Sequence, residues 1–257
     1  MDERTLRELE LLEVARLYGL EGEPAAAEVS LPGGGGRGAE VSLPEGGGRG
    51  AEASLPPGGG PGRGSDAAIA AADWQQLRTL VTACRACGLC ARRKQAVFGT
   101  GAEDAPWLFV GEGPGADEDE QGDPFVGQAG KLLDAMLAAI GCRRGREVYI
   151  ANVVKCRPPG NRTPTGEEAA ACAPFLDRQI ELVAPKVIVA LGKTAATRLL
   201  GTEASLASLR GKAHRYRDVP VVVTYHPAYL LRSLAEKAKA WEDLVFARRV
   251  LRGRTGN

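Results

Sequence analysis

An α/β domain on a central four-stranded parallel sheet is the fold this sequence predicts, and three observations carry the prediction. Four short runs rich in Val and Ile, at 107–110, 148–154, 187–191 and 219–223, are bounded by Gly or Pro. Strands buried on both faces of a sheet have that composition. Helical stretches at 127–140, 165–183 and 193–200 separate these runs, and a last one follows at 235–251. Strand alternating with helix implies a parallel sheet covered by helices on both sides. Finally, 34 Gly and 16 Pro are unevenly spread, with a large share of both at 22–64, so the folded domain is sought after that tract.

In chain order, residues 1–20 read as a short N-terminal helix, with Asp2 and Glu3 at its dipole-favoured start and Leu11, Ala15 and Tyr18 on one face. The phrases AEVSLPGGGGRG, AEVSLPEGGGRG and AEASLPPGGGPGRG then open at Ala27, Ala39 and Ala51. A twelve-residue, glycine-rich period is too short for a solenoid unit and reads as a disordered, flexible linker over 21–66. The alternative is that Arg37, Arg49 and Arg63 contact nucleic acid, or that the extension meets an unknown partner. Residues 67–257 form the single folded domain, and a helix over 73–83 leads into Cys84.

Charge and apolar patterning exclude several classes. Lys and Arg total 33 against 32 Asp and Glu, which rules out a histone-like polycation and leaves DNA binding to local patches. No run of about 18 apolar residues occurs, so no membrane-spanning helix is expected. The opening MDERTLRELELLEVARLYGL lacks the uninterrupted apolar centre of a secretory signal, and the expectation is a cytoplasmic monomer. In a reducing compartment six cysteines point to metal ligands, redox thiols or buried small side chains before disulfides.

In parallel sheets ligands sit at the carboxyl ends of strands, which directs attention to GEGPG, NVVKCRPPGNR, GKT and YHPAYLLR. Cys84 and Cys87 form a C-x-x-C pair, and Cys156 and Cys172 stand fifteen residues apart. Thiolate ligation of that kind suits zinc, a redox pair or an iron–sulfur site. Cys90 and Cys142 are left over. Residues 111–116 superficially satisfy G-x-G-x-x-A, but Pro114 removes a donor and the acidic run Asp117, Glu118, Asp119, Glu120 would repel a pyrophosphate. An acidic loop at the sheet's mouth suits general-base or water-positioning work instead. His226, after the last strand, points into the expected crevice, while His214 reads as structural. Asn152, Lys155, Arg157, Asn161 and Arg162, joined by Arg232, would make a phosphate-contacting stripe.

Taken in this order, CRAC, VFGTG, GEGPGADEDEQGDPFVGQAGKLLD, ANVVKCRPPGNRTP, the Cys172 helix, ALG and YHPAYLLR closely resemble the family 4, iron–sulfur uracil-DNA glycosylases over about 84–251. The resemblance implies an enzyme of base excision repair that flips uracil out of DNA and hydrolyses its N-glycosidic bond. It implies a [4Fe-4S] cluster on Cys84, Cys87, Cys156 and Cys172, structural rather than redox in role, and leaves Cys90 and Cys142 unassigned. It implies uracil contacts from Gly113, Phe125, Asn152 and His226: Phe125 as the stacking platform, Asn152 as the reader of the base edge, His226 as the donor beside O2. Glu112 and Glu118 occupy the matched acidic positions, where carboxylates stabilise the sugar cation or position water. Asn161, Arg162 and Arg232 match phosphate contacts, and Tyr229, Leu230 and Leu231 are candidate wedges into the duplex.

One departure matters. The better-known uracil glycosylases carry an aspartate where this chain has Gly113, so water activation does not transfer to that position. The family X relatives, which trap DNA through a histidine in the loop after the second strand, are disfavoured because no histidine lies between Asn152 and Cys172. A DNA-damage sensor without turnover is the competing class, and release of uracil separates it from an enzyme.

Overall fold

The four apolar runs become buried strands. In the computed structural model, which describes residues 65–254, they are β2 (Trp107–Gly111), β3 (Val148–Asn152), β4 (Val187–Leu191) and β6 (Val219–Thr224). Every residue of β2, β3 and β4 is buried. Two further strands, β1 (Thr100–Gly101) and β5 (Ala213–Tyr216), flank them. The sheet order is β1-β3-β2-β4-β6-β5. The inner neighbours pair in parallel, and both edge strands pair antiparallel.

The expected four-stranded parallel sheet is therefore corrected to a six-stranded mixed one. The edge strands escaped notice for a physical reason. β1 is two residues long, and β5 alternates exposed and half-buried positions, so neither has a continuous apolar run.

Register brings the site together. β2 and β3 run in step from Trp107 opposite Val148 to Gly111 opposite Asn152. On the other side Leu191 lies opposite Thr224, and the N–H of Gly192 continues the ladder to the carbonyl of Thr224 at 2.8 Å. All four strands thus end at one level. The chain steps from β2 to β3 on one side, then back over β2 to β4, so the order reverses at β2, where an open α/β sheet offers its crevice.

Helices cover the sheet. These are α1 (Asp66–Ala71), α2 (Trp74–Ala83), α3 (Ala116–Gln121), α4 (Gln128–Ala139), α5 (Gly166–Val183), α6 (Lys193–Leu200), α7 (Leu206–Leu209), α8 (Pro227–Leu230) and α9 (Lys237–Arg254). α2 and α5 open on capping boxes, Asp73 with Gln76 and Thr165 with Glu168, which satisfy otherwise orphaned N–H groups. A core of Leu77, Val81, Leu108, Tyr149, Phe175, Leu176 and Ile188 fills the space under α2 and α5.

The acidic run is not a loop. Residues 117–120 lie in α3, where first-turn carboxylates favour the positive end of the helix dipole. α1 starts at Asp66, the last residue of the expected linker, and is capped by Ser65. The expected helix over 1–20 and the linker up to residue 64 lie outside the described residues. No helix among the described residues is long and apolar enough to cross a membrane.

Candidate active site

A crevice of about 470 Å³ opens at the strand ends, lined among others by Glu112, Gly113, Glu118, Phe125, Asn152 and His226. Asn161, Arg162, Tyr229 and Arg232 line its outer part. The crevice gathers the expected uracil and DNA contacts except Lys155, Arg157, Leu230 and Leu231.

Asn152 ends β3 and is 2% exposed, yet its Oδ1 has no hydrogen-bond partner among the described residues. Buried amide oxygens are normally paired, and leaving one unpaired costs about 1–3 kcal/mol. The neighbouring strand makes room for it. A Cβ on Gly111 would stand 2.4 Å from Asn152 Oδ1 and 2.6 Å from Phe125 Cζ, so only glycine fits at that register position.

Phe125 has φ of 56°, a left-handed conformation that a bulky residue adopts only when its surroundings impose it. Those surroundings are specific. Glu118 Oε1 accepts from the N–H groups of Val126 at 2.9 Å and Gly127 at 3.1 Å, and its Oε2 accepts from Gly115 at 3.0 Å. Arg144 donates to the carbonyls of Pro124 at 2.7 Å and Phe125 at 2.6 Å. A Cβ on Gly130 would overlap the Phe125 carbonyl at 1.8 Å, so α4 can approach only through that glycine. Glu118, expected among the catalytic groups, spends both oxygens on holding the aromatic loop.

The Phe125 ring stacks on His226, with centroids 5.4 Å apart and planes inclined by 29°. His226 caps α8, its Nδ1 accepting from the N–H of Ala228 at 3.2 Å, which leaves the ring proton on Nε2. Burial drives its pKa down to about 4, against an opposing pull from Glu118 and with a further lowering from Arg232. The imidazole is therefore a neutral donor at physiological pH.

Glu112, directly after β2, accepts from the hydroxyl of Thr194 in the first turn of α6. Thr194 was not among the expected site residues; the GKT segment after β4 was its only sequence signal. Gly113 passes close to Val154, whose Cγ2 would lie 2.7 Å from an added Cβ.

The rim corrects two expectations. Leu230 is 1% exposed and faces inward where α8 packs on α4, so it cannot enter a duplex. Tyr229, at 41% exposed, and Leu231, at 42%, face outward, and the Tyr229 ring stacks on Tyr225 with centroids 5.3 Å apart. Lys155 is 1% exposed and cannot touch phosphate. Asn161 accepts from Arg157 at 2.7 Å, and Arg162 forms a two-pronged pair with Glu168 at 2.7 and 2.8 Å. His214 is tied to the carbonyl of Leu209 at 2.7 Å, away from the crevice.

Behind the 152–158 segment lies a second pocket, lined by Cys84, Cys87, Cys156 and Cys172 and also by Cys90, Arg93 and Lys155. Arg93 donates to Cys156 Sγ at 2.9 Å, and the N–H of Lys155 donates to Cys172 Sγ at 3.3 Å. Burial pushes the thiols of Cys87 and Cys156 up and that of Cys172 to about 12. Among the described residues no three His, Cys, Asp or Glu side chains close around a single metal ion. Cys90, left over in the sequence, stands at the same pocket, whereas Cys142 is buried elsewhere.

A family model described as the uracil DNA glycosylase superfamily matches residues 98–245. The chain is 49% identical over 161 residues to the type-4 uracil-DNA glycosylase of Thermotoga maritima, covering 62% of this chain and 83% of that one. It is 46% identical over 180 residues to the enzyme of the same name from Pyrobaculum aerophilum, covering 67% and 91%. With that from Archaeoglobus fulgidus it shares 47% over 159 residues, covering 59% and 79%.

Proposed function

This chain belongs to the uracil-DNA glycosylase superfamily and is a DNA-repair hydrolase that excises uracil, and on that premise we propose how its crevice does so. The observation that carries the reading is the unpartnered Oδ1 of Asn152. A flipped uracil supplies the missing donor, its N3–H, while the amide nitrogen donates to O4. Phe125, locked by Glu118 and Arg144, forms the platform on which the base stacks.

The neutral His226 directs Nε2–H at uracil O2. As the C1′–N1 bond breaks, the bonding pair passes to the base and negative charge grows at O2, where a fixed donor stabilises it. The sugar left behind is electron-poor at C1′. Glu112, oriented by Thr194, retains one oxygen to hold the water that attacks C1′ and to accept its proton. Arg162 and Arg232 contact phosphates on either side of the extruded nucleotide, with Asn161 alongside. Tyr229 and Leu231 fill the gap left in the stack.

The cysteine set fits a [4Fe-4S] cluster: the four thiols of the resemblance line one pocket, with Cys90 beside them, and two N–H groups already point at the sulfurs of Cys156 and Cys172. Cys84, Cys87, Cys156 and Cys172 would hold it, and when bound it ties α2, the 152–162 segment and α5 together without taking part in bond cleavage. We take the protein to be a monomer working on DNA and the cytoplasm as its compartment.

The test is base release from matched uracil and cytosine oligonucleotides. Asn152→Asp should lose uracil excision and gain weak cytosine release, because a carboxylate repels O4 and accepts from the cytosine amino group. Undiminished uracil release by that variant would place the base reader elsewhere.

A further inference from the structure

One side chain links the cysteine pocket to the strand end that carries Asn152. Lys155 lines the cysteine pocket, and its Nζ donates to the main-chain carbonyl of Asn152 at 2.8 Å and to Gln179 Oε1 at 2.5 Å. The carboxamide of Gln179 has only one orientation open to it, since its nitrogen donates to the carbonyl of Phe98 at 2.8 Å and to the Tyr149 hydroxyl at 3.3 Å. Its oxygen is therefore turned to the lysine. The ammonium is thus held between the end of β3 and the C-terminal half of α5.

Neither acceptor is an anion. Asp177 acts on Lys155 from farther off, but that carboxylate is already paired with Arg198 and bonded to the Tyr216 hydroxyl at 2.7 Å. An ammonium fully withdrawn from water needs a compensating charge. Four thiolates around a [4Fe-4S] core carry net negative charge, and Cys156 and Cys172 line the same pocket as Lys155, whose own main-chain N–H donates to Cys172 Sγ at 3.3 Å.

We propose that Lys155 is a positioning residue: its charge is balanced by the thiolate-bound cluster, and its ammonium anchors the main chain of Asn152 so that the carboxamide meets uracil at a fixed height. This rests on reading the cysteine pocket as the cluster site. It gives the cluster a concrete part in base recognition without any electron transfer.

The experiment uses the purified, iron-loaded full chain with Lys155→Met and Lys155→Gln. Two quantities are read: the midpoint potential of the cluster, and the single-turnover rate of uracil release beside the Kd for uracil-free DNA. Removing a positive charge next to the cluster should move the potential to more negative values in both variants. Lys155→Met should also slow uracil release by about tenfold or more, as expected on losing a hydrogen bond from a charged donor, with DNA affinity kept within about twofold. Lys155→Gln retains a donor for the Asn152 carbonyl, so its rate should lie between wild type and Lys155→Met, and it carries the test if the Met variant does not fold.

An unchanged potential in an iron-loaded variant overturns the charge balance, and an unchanged rate in Lys155→Met overturns the anchoring. Wild-type protein that excises uracil with no iron at all would instead sink the cluster reading, and the charge balance with it.

Discussion

The crevice and the cysteine pocket are built on the two sides of one short segment, yet they treat polar atoms oppositely. In the crevice Asn152 presents an acceptor that no described residue satisfies, and the strained Phe125 is held open beside it. Four residues on, Cys156 turns its sulfur into a pocket where Arg93 already donates to it, among Val81 and Phe175. The first arrangement is incomplete until a base arrives. The second has its sulfurs already met by donors, and burial lifts the thiols of Cys87, Cys156 and Cys172, so that a metal must displace their protons. The difference teaches which region binds substrate and which holds the frame.

The strongest test of this contrast removes the frame. Cys156→Ala or Cys172→Ala should bleach the protein's absorbance near 400 nm and lower its melting temperature, because an open iron lets the cluster disassemble. Cys142→Ala should leave both unchanged. Iron analysis of the three variants settles it, and full iron retention by Cys172→Ala would dissolve the distinction between the two pockets.

Asn152→Ala should act on the crevice alone. Uracil release is expected to fall by about 10²–10³-fold, the cost of losing a fixed donor or acceptor at a reacting centre, with absorbance and DNA affinity preserved. Gly111→Ala sharpens the same point from the neighbouring strand. The added methyl would collide with Asn152 Oδ1 and Phe125, so release should drop while the thiols are untouched. A normal rate for that variant would show that the observed approach of the two side chains is not needed.

A milder effect follows from His226. Its folded pKa of about 4 lies below the ~6.5 of an unfolded histidine, so between these values the unfolded chain binds the extra proton. The stabilisation from the neutral ring is complete above ~6.5 and is lost as pH falls toward 4. Excision should stay level from about pH 8 to 5 and decline only near 4, as protonation of Nδ1 breaks the Ala228 cap. A decline centred near 6.5 would place the ring in water instead. The smallest change is expected on deleting residues 1–64, which precede the Ser65 cap of α1. Release from short oligonucleotides should then match the full chain, and a truncated protein that is folded, iron-loaded and inactive would refute this.

The residue order alone was enough for the four inner strands, the long helices and the crevice's location, because buried parallel strands are continuous apolar runs and their carboxyl ends are predictable from alternation. Asn152, Phe125 and His226 were legible because each follows or faces such an end within a long motif. What remained hidden depends on contacts between distant segments. Leu230 read as a wedge and Lys155 as a phosphate contact because both lie in segments that follow strand ends, but the packing of α8 on α4 buries one, and the packing of the 152–158 segment against α5 buries the other. Glu118 read as a carboxylate that stabilises the sugar cation or positions water, and only the fold shows both its oxygens engaged with the backbone of residues 115, 126 and 127. Thr194, eighty-two residues from Glu112, met it only because β2 and β4 lie side by side. Local pattern determines which segments become strands and helices; which side chain finds a partner, and which is left waiting for substrate, is decided when sheet register brings remote residues within hydrogen-bonding distance.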